Sequence, residues 1–295
     1  MRFCCLFVMA SLCFTFCSGK TDAMEYYNPF LEEFNPSWDV QHDPFVLHAI
    51  PKCGIHFIQR TLQLMIPKHI LAAGACVSRE KLASLDNDQM IIRLYSPYDP
   101  ECMQMMQDTE HKIVSMVRDP RDALISHLFY MRSFPANLTQ RDFFFVSQEF
   151  NSLPIDEQIH ALIVGNVHSQ SYVNYYNERL GWALSGNCLI IKYEDLVGNA
   201  GGGNNSCRFM ALKKLADYIN MHLSRDHFEF IQKNMYAVIQ YNTEGGIDKG
   251  TERSDFHRAS IGNWKTFLKE EHKVLLKQKI GQVLIDLGYE QNLDW

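Results

Sequence analysis

Residues 45–57 read Phe45-Val46-Leu47-His48-Ala49-Ile50-Pro51-Lys52-Cys53-Gly54-Ile55-His56-Phe57, and the fold turns on this stretch. Phe45 to Ile50 form a short, mostly apolar run ending at a proline, the pattern of a buried strand. Ile55, Ile58, Leu62 and Met65 then recur at helical spacing until Pro67 stops them. Lys52-Cys53-Gly54 therefore lies in a strand-to-helix turn. Such a turn aims backbone N–H groups at one point, and the following helix adds the positive end of its dipole. Gly54 lets the backbone approach a ligand closely, and Lys52 adds a point charge. The turn is not a Walker A loop, because no Gly-x-x-x-x-Gly-Lys-Ser/Thr string is present.

The same unit recurs further along the chain. Met90 to Leu94 predicts a strand leading into the loop at Pro97. Ile113 to Val117 predicts another, ending at Arg118-Asp119-Pro120, where Asp119 suits an N-cap and Pro120 a first helical position. Ala123, Leu124, Leu128 and Met131 continue that helix, and Leu189 to Lys192 is a fourth strand. Residues 265–288 predict a terminal helix with Leu268, Val274, Leu275, Val283, Leu284 and Leu287 as its apolar positions. Strands alternating with helices predict an α/β fold: a central parallel sheet with helices on both faces. Phe143-Phe144-Phe145 and Tyr172, Tyr175 and Tyr176 suit core packing or the wall of an apolar acceptor pocket. Gly198 to Asn205 reads as a mobile Gly/Asn-rich loop.

The 295 residues, 46% of them hydrophobic, suffice for one large domain, placed at 44–295 behind an irregular segment at 20–43. A net charge of −6 without a run of Lys or Arg argues against a nucleic-acid binder. An acidic protein can still hold a locally positive anion site. Residues 1–19 differ from the rest: Arg2, an apolar stretch at 3–16, then the small residues Cys17-Ser18-Gly19. This pattern predicts a secretory signal peptide and places the protein outside the cell or in a secretory lumen. The stretch is short of the ~20 apolar residues that span a bilayer. The alternative is a retained anchor, with membrane association confined to residues 3–17. Cleavage leaves Cys53, Cys76, Cys102, Cys188 and Cys207, an odd set that allows one or two bridges but is no disulfide scaffold. Asn137-Leu138-Thr139 and Asn204-Asn205-Ser206 fit the N-glycosylation pattern.

Four segments carry the chemistry. The first is the Lys52 turn. The second is Arg118-Asp119-Pro120-Arg121-Asp122 with Ser126, roughly 10 Å further along the helix. A guanidinium grips two phosphate oxygens and a hydroxyl can take a third. The third is Lys192-Tyr193-Glu194-Asp195-Leu196, and the fourth runs from Phe256 to Trp264. Taken in order, they resemble the sulfotransferase family, from about Phe45 to Tyr289. Pro51-Lys52-Cys53-Gly54-Ile55-His56 stands where that family has Pro-Lys-Ser-Gly-Thr-Thr. Arg118 and Ser126 match its Arg with Ser eight residues later, and Tyr193-Glu194-Asp195 its Tyr-Glu-Asp. His257-Arg258-Ala259-Ser260-Ile261-Gly262-Asn263-Trp264 is similar to its Arg-Lys-Gly-x-x-Gly-Asp-Trp. Phe228, with Ile231 and Asn234, is similar to its adenine-touching Phe-x-x-Met-x-x-Asn, and Tyr172 to Trp182 to its Tyr-rich helix.

The resemblance implies that the α/β fold is P-loop-like and nucleotide-binding, and that it transfers a sulfuryl group from 3′-phosphoadenosine-5′-phosphosulfate to a hydroxyl or amine acceptor, with no metal. The acceptor class stays open among glycans, lipids, small alcohols and phenols, and a homodimer is compatible with the sequence. It implies that Lys52, Cys53, Gly54, Ile55, His56 and Phe57 hold the 5′-phosphosulfate. Arg118, Ser126 and Arg258, the last flanked by His257 and Ala259, would bind the 3′-phosphate, and Tyr193 and Phe228 would line the adenine site. Lys52 is the cation expected to stabilise the bridging oxygen. The family's catalytic His in Lys-x-His-x-Pro is replaced by Tyr95 in Arg93-Leu94-Tyr95-Ser96-Pro97. A phenol with an ordinary pKa near 10 is a poor base. His56 on the turn is the substitute, with His127 beside Ser126 as another candidate. Ile55 and His56 also replace two hydroxyl residues, and His257 and Ala259 replace Arg and Gly. A catalytically degenerate homologue and another phosphate-handling enzyme, such as a nucleotide kinase, are the competing readings.

Overall fold

The computed structural model describes residues 41–66, 69–73, 79, 82, 90–133, 140–141, 144–245 and 260–295. The expected signal peptide, most of the 20–43 segment, Cys76, Asn137, His257, Arg258 and Ala259 lie outside the described residues.

Five strands form one parallel sheet: β1 (Phe45–Ala49), β2 (His69–Ala73), β3 (Met90–Leu94), β4 (Lys112–Val117) and β5 (Leu189–Lys192), in the spatial order β2-β3-β1-β4-β5. The first strand is central, and the chain visits one side of it before crossing to the other. Edge strand β2 was not evident in the sequence. Eight helices of eight or more residues are described: α1 (Ile55–Met65), α2 (Pro100–Asp108), α3 (Pro120–Arg132), α4 (Ile155–Val164), α5 (Tyr172–Leu184), α6 (Asn205–Tyr218), α7 (Arg225–Gly245) and α8 (Glu270–Asp286).

Helices cover both faces because the strands are apolar on both. In β1, Phe45, Leu47 and Ala49 pack with Ile58 and Leu62 of α1 and Leu212 and Leu215 of α6. Val46 and the ring of His48 turn the other way, toward Trp182 of α5 and Met103 of α2. Leu47, Ile58 and Leu62 are fully buried, each stabilising the fold by about 1.5–3 kcal/mol. A further cluster joins α3, α4, α5 and α8 through Leu124, Leu128, Leu162, Tyr175 and Leu276.

Three local expectations are modified. The terminal helix begins as a single turn at Trp264–Phe267, breaks at the extended Leu268, and resumes as α8. The Gly198 loop is built rather than open: Asn199–Gly201 form a 3₁₀ turn, Arg208 donates to the carbonyls of Leu196 and Val197, and Gly201 O accepts from Ile261 N at 3.1 Å. Cys102 is disulfide-bonded to a partner outside the described residues, whereas Cys53, Cys188 and Cys207 are free thiols.

His48 carries a pH dependence into the core. Its Nδ1 lies 2.9 Å from Ser115 Oγ and its Nε2 has no hydrogen-bond partner. Burial, and secondarily the charge of Arg179, lowers its pKa from 6.5 to about 3. The folded value lies below the unfolded one. The stability it contributes is therefore complete above pH 6.5 and is lost as pH falls toward 3. The slope is ~1.4 kcal/mol per pH unit. Urea midpoints measured across this window should fall less steeply for His48→Gln than for the wild type. Parallel slopes would locate the acid sensitivity elsewhere.

Candidate anion-binding cleft

Strands β1, β4 and β5 are adjacent and in register, with Ala49 paired to Met116 and Val117 to Lys192. Their carboxyl ends deliver the Lys52 turn, Arg118 and Tyr193 side by side, where ligands bind in open α/β sheets. Strand β3 flanks β1 on the other side, pairing Leu94 with His48, and delivers Tyr95 there.

The turn at 51–54 is conformationally strained. Lys52 has φ +72° and Gly54 φ +91°. A Cβ on Gly54 would lie 2.3 Å from the Tyr193 ring and 2.9 Å from Met116 Cε, so glycine is required by both conformation and space. Helix α1 opens on Gly54 with no side-chain cap and no acidic residue in its first turn. The amides of Gly54, Ile55 and His56 precede the first intrahelical hydrogen bond, so the positive helix end faces the cleft. Cys53, Ile55 and Phe57 turn their side chains into the core. Burial pushes the Cys53 thiol far up, which makes it a packing group rather than a nucleophile. Cys53 N donates to Ile50 O and Phe57 N to Gly54 O, so of these three residues it is the backbone amide of Ile55 that can serve a ligand. The exposed His56 and the half-buried Lys52 face outward.

Arg118 joins the pieces. Its Nη1 donates to Lys52 O at 3.2 Å and its Nη2 to Ser260 O at 3.1 Å. The Tyr193 ring centre lies 4.5 Å from its Cζ. The side chain is 7% exposed, its Nε has no partner, and no described carboxylate lies within ion-pairing distance. The opposite charge of Asp122 feels the guanidinium without bonding to it, so a buried cation held by carbonyls and a ring suits an anion as its direct partner.

The braces beneath the cleft are polar atoms on aromatic residues. Tyr172 Oη donates to Pro51 O at 2.7 Å and Tyr176 Oη to Arg118 O at 2.9 Å. Both rings are buried, so the tyrosines of α5 are core residues that fix the two loops rather than walls of an acceptor pocket. Glu194 accepts from Asp119 N and from Tyr289 Oη, each at 2.9 Å, and burial raises its pKa. Asp119 caps α3 through Arg121 N at 2.9 Å and pairs with Arg121 Nη2 at 2.7 Å. Arg121 also pairs with Glu290 at 2.6 Å, its guanidinium lying 4.0 Å from the Trp264 ring and 4.4 Å from Trp295. Asp122 accepts from Gly262 N at 2.6 Å and Trp264 N at 2.9 Å, which ties the late segment to α3. Ser126, one turn beyond Asp122 and partly exposed, shares that helix face.

Among the other expected residues, Phe228 is 8% exposed in the cluster that also holds Tyr193 and Phe57. Tyr95 is half-buried, with the Arg93 guanidinium 4.6 Å from its ring centre. His127 is a correction. It is buried between Tyr172 at 4.4 Å and Phe144 at 4.3 Å, a core position with no route to an acceptor. Burial, and then the charge of Lys52, holds its pKa well below 6.5. Arg121, Asp122 and Glu194 had no assigned role in the sequence analysis. Their signal was the density of charge directly after apolar strands.

An α/β fold with backbone amides, a lysine and a buried arginine that pairs with no described carboxylate at the ends of adjacent central strands defines a class: proteins that hold an anionic ligand at the sheet's carboxyl edge. Comparison with known proteins narrows it. The profile of the sulfotransferase domain matches residues 42–288. Sulfotransferase 6B1 of Homo sapiens is 21% identical over 267 residues, covering 84% of this chain and 78% of that protein. The 3-alpha-hydroxysteroid sulfotransferase of Cavia porcellus is 24% identical over 162 residues, covering 52% of this chain and 49% of its own. Among solved structures, mouse sulfotransferase SULT7A1 complexed with PAP superposes with a TM-score of 0.58 at 17% identity, covering 86% of this chain and 89% of that one. The chain belongs to the sulfotransferase family, and it is an enzyme that transfers a sulfuryl group from 3′-phosphoadenosine-5′-phosphosulfate to an acceptor.

Two substitutions probe the cleft's framework. Gly54→Ala should destabilise the fold by about 2–4 kcal/mol and abolish binding of adenosine 3′,5′-bisphosphate in calorimetry. Tyr176→Phe should cost about 1 kcal/mol in urea unfolding. Unchanged binding by the alanine variant would show that the turn tolerates another shape.

Proposed function

We propose that the 5′-phosphosulfate of the donor rests on the amides of Gly54, Ile55 and His56 with Lys52 beside it. Its 3′-phosphate is taken by Arg118 and Ser126, joined by Arg258, and Tyr193 and Phe228 border the base. The single observation supporting this is the contact of buried Arg118, paired with no carboxylate among the described residues, with the carbonyl of Lys52. That contact supports reading the Lys52 turn and Arg118 as two anion-seeking elements of one site, as a nucleotide phosphorylated at both ends of its ribose would need.

The acceptor hydroxyl attacks sulfur in line with the leaving bridging oxygen. Its S–O bond forms as the sulfur–bridging oxygen bond breaks, the hydroxyl proton passes to a base, and adenosine 3′,5′-bisphosphate departs. Lys52 stabilises the charge that grows on the bridging oxygen. We assign the base to His56, which is exposed on the first turn of α1 and carries an imidazole that ordinarily titrates near neutrality. The Arg93 guanidinium lies against the Tyr95 ring and supports a second reading, with Tyr95 as base. The acceptor we propose is an alcohol or phenol, in line with the hydroxysteroid named for the Cavia porcellus relative. The disulfide at Cys102, with the leader-like residues 1–19, supports action in an oxidising secretory compartment.

Calorimetry should show adenosine 3′,5′-bisphosphate binding at least about 100-fold more tightly than adenosine 5′-phosphate. Equal affinities would remove the role given to Arg118 and Ser126. Lys52→Ala should lower kcat by about 100-fold or more with little change in melting temperature. His56→Ala should abolish the acidic limb of the pH–rate profile, and Tyr95→Phe should leave it in place. The opposite pattern would move the base to Tyr95.

A further inference from the structure

Lys52 leaves a left-handed backbone position, and its ammonium lies 3.8 Å from the centre of the Tyr130 ring on α3. Tyr130 is partly buried, one turn beyond Ser126 on the same helix. No role in the sequence analysis fell to it. The ammonium is a compact charge on a flexible four-carbon stem, so its place in the cleft depends on what its tip meets.

We propose that Tyr130 is a positioning residue: its ring face holds the Lys52 ammonium at the cleft before the donor arrives and releases it to the bridging oxygen once the donor is bound. This rests on the role of Lys52 proposed above. The choice of partner has a physical logic. A carboxylate at this point would bind the ammonium firmly and repel the phosphosulfate. An aromatic face attracts a cation through its quadrupole and carries no net charge, so it yields to a true anion. The imidazole of His127, with its ring centre 6.2 Å from that of Tyr130, is buried and brings no second cation to the ring. The phenol hydroxyl has no part in this scheme, so phenylalanine should replace tyrosine.

The test compares Tyr130→Phe with Tyr130→Leu in the full chain. Donor-free protein is treated with an acetylating N-hydroxysuccinimide ester at fixed pH, and modification of Lys52 is followed by peptide mass spectrometry. The Leu variant should be acetylated about fivefold faster than the wild type, and the Phe variant at the wild-type rate. In turnover, Tyr130→Leu should lower kcat about tenfold. Tyr130→Phe should stay within about twofold of wild type. Should the Leu variant melt early, Tyr130→Met, which refills the volume without a ring, carries the same expectations. Wild-type labelling in the ringless variants, equal damage in the Phe and Leu variants, or an effect confined to the acceptor KM would each overturn the proposal. The labelling arm needs no donor, so it reads the ring–ammonium contact independently. Failure of the wild type to bind the bisphosphate would instead count against the site assignment above.

Discussion

Arg118 reaches across the cleft with both arms, one to the carbonyl of Lys52 and one to that of Ser260. Three segments far apart in sequence meet at this guanidinium: the strained turn after β1, the start of α3 and the late loop before Trp264. The parallel register of β1, β4 and β5 makes the meeting unavoidable, because adjacent strands of matched length end together. The turn must keep Lys52 and Gly54 at positive φ; Tyr172 holds it by the Pro51 carbonyl, and Tyr176 holds the neighbouring loop by that of Arg118. Strain in the turn persists because the surrounding contacts over-determine it.

The sheet was largely legible because its strands are short apolar runs with turn residues at their ends, and the local pattern of 45–57 or 113–131 decides the outcome. Asp119 and Pro120 cap and open α3 as their chemistry dictates. The edge strand at His69–Ala73 was missed because a five-residue run with no polar alternation looks the same as a buried helix fragment. The break at Leu268 within the expected last helix was missed because its apolar spacing continues across it. In the site, residue order along the chain pointed to Lys52, Arg118 and Tyr193. It could not say which way each side chain turns. Cys53, Ile55 and Phe57 were read as binding residues, yet their side chains serve the core, and the amides of Cys53 and Phe57 are spent on Ile50 O and Gly54 O. His127 failed for the same reason: its neighbour Ser126 is partly exposed, but a one-residue step on a helix rotates it into the aromatic core.

The turn's departures from the family pattern shift the electrostatic work onto the backbone. Ile55 stands where a hydroxyl residue is usual, and its side chain is sealed beneath α1 rather than offered to a ligand. What remains at the mouth of α1 is an uncapped helix end, one ammonium and one imidazole. An open helix terminus supplies about half a unit of positive charge through groups that cannot move away. Fixed dipoles of this kind need no reorganisation as charge develops in a transition state. Replacing the hydroxyls thus removes donors without removing the feature that matters most for a spreading negative charge.

A protein of net charge −6 must still keep this cleft positive, and the disposition of its carboxylates explains how. Asp119, Asp122 and Glu194 all lie in the segments around Arg118, and any of them could have neutralised it. Each is bonded elsewhere. Asp119 is taken by Arg121 and by the amide that it caps. Asp122 accepts two backbone amides of the late loop. Glu194 accepts the Asp119 amide and the Tyr289 hydroxyl. The cation that absorbs acidic charge is Arg121, fixed between two tryptophan rings and paired also with Glu290. Two arginines three residues apart therefore have opposite duties. Arg121 is consumed in holding the scaffold, whereas Arg118, buried and hydrogen-bonded only to carbonyls among the described residues, is left to take an anion as its direct partner.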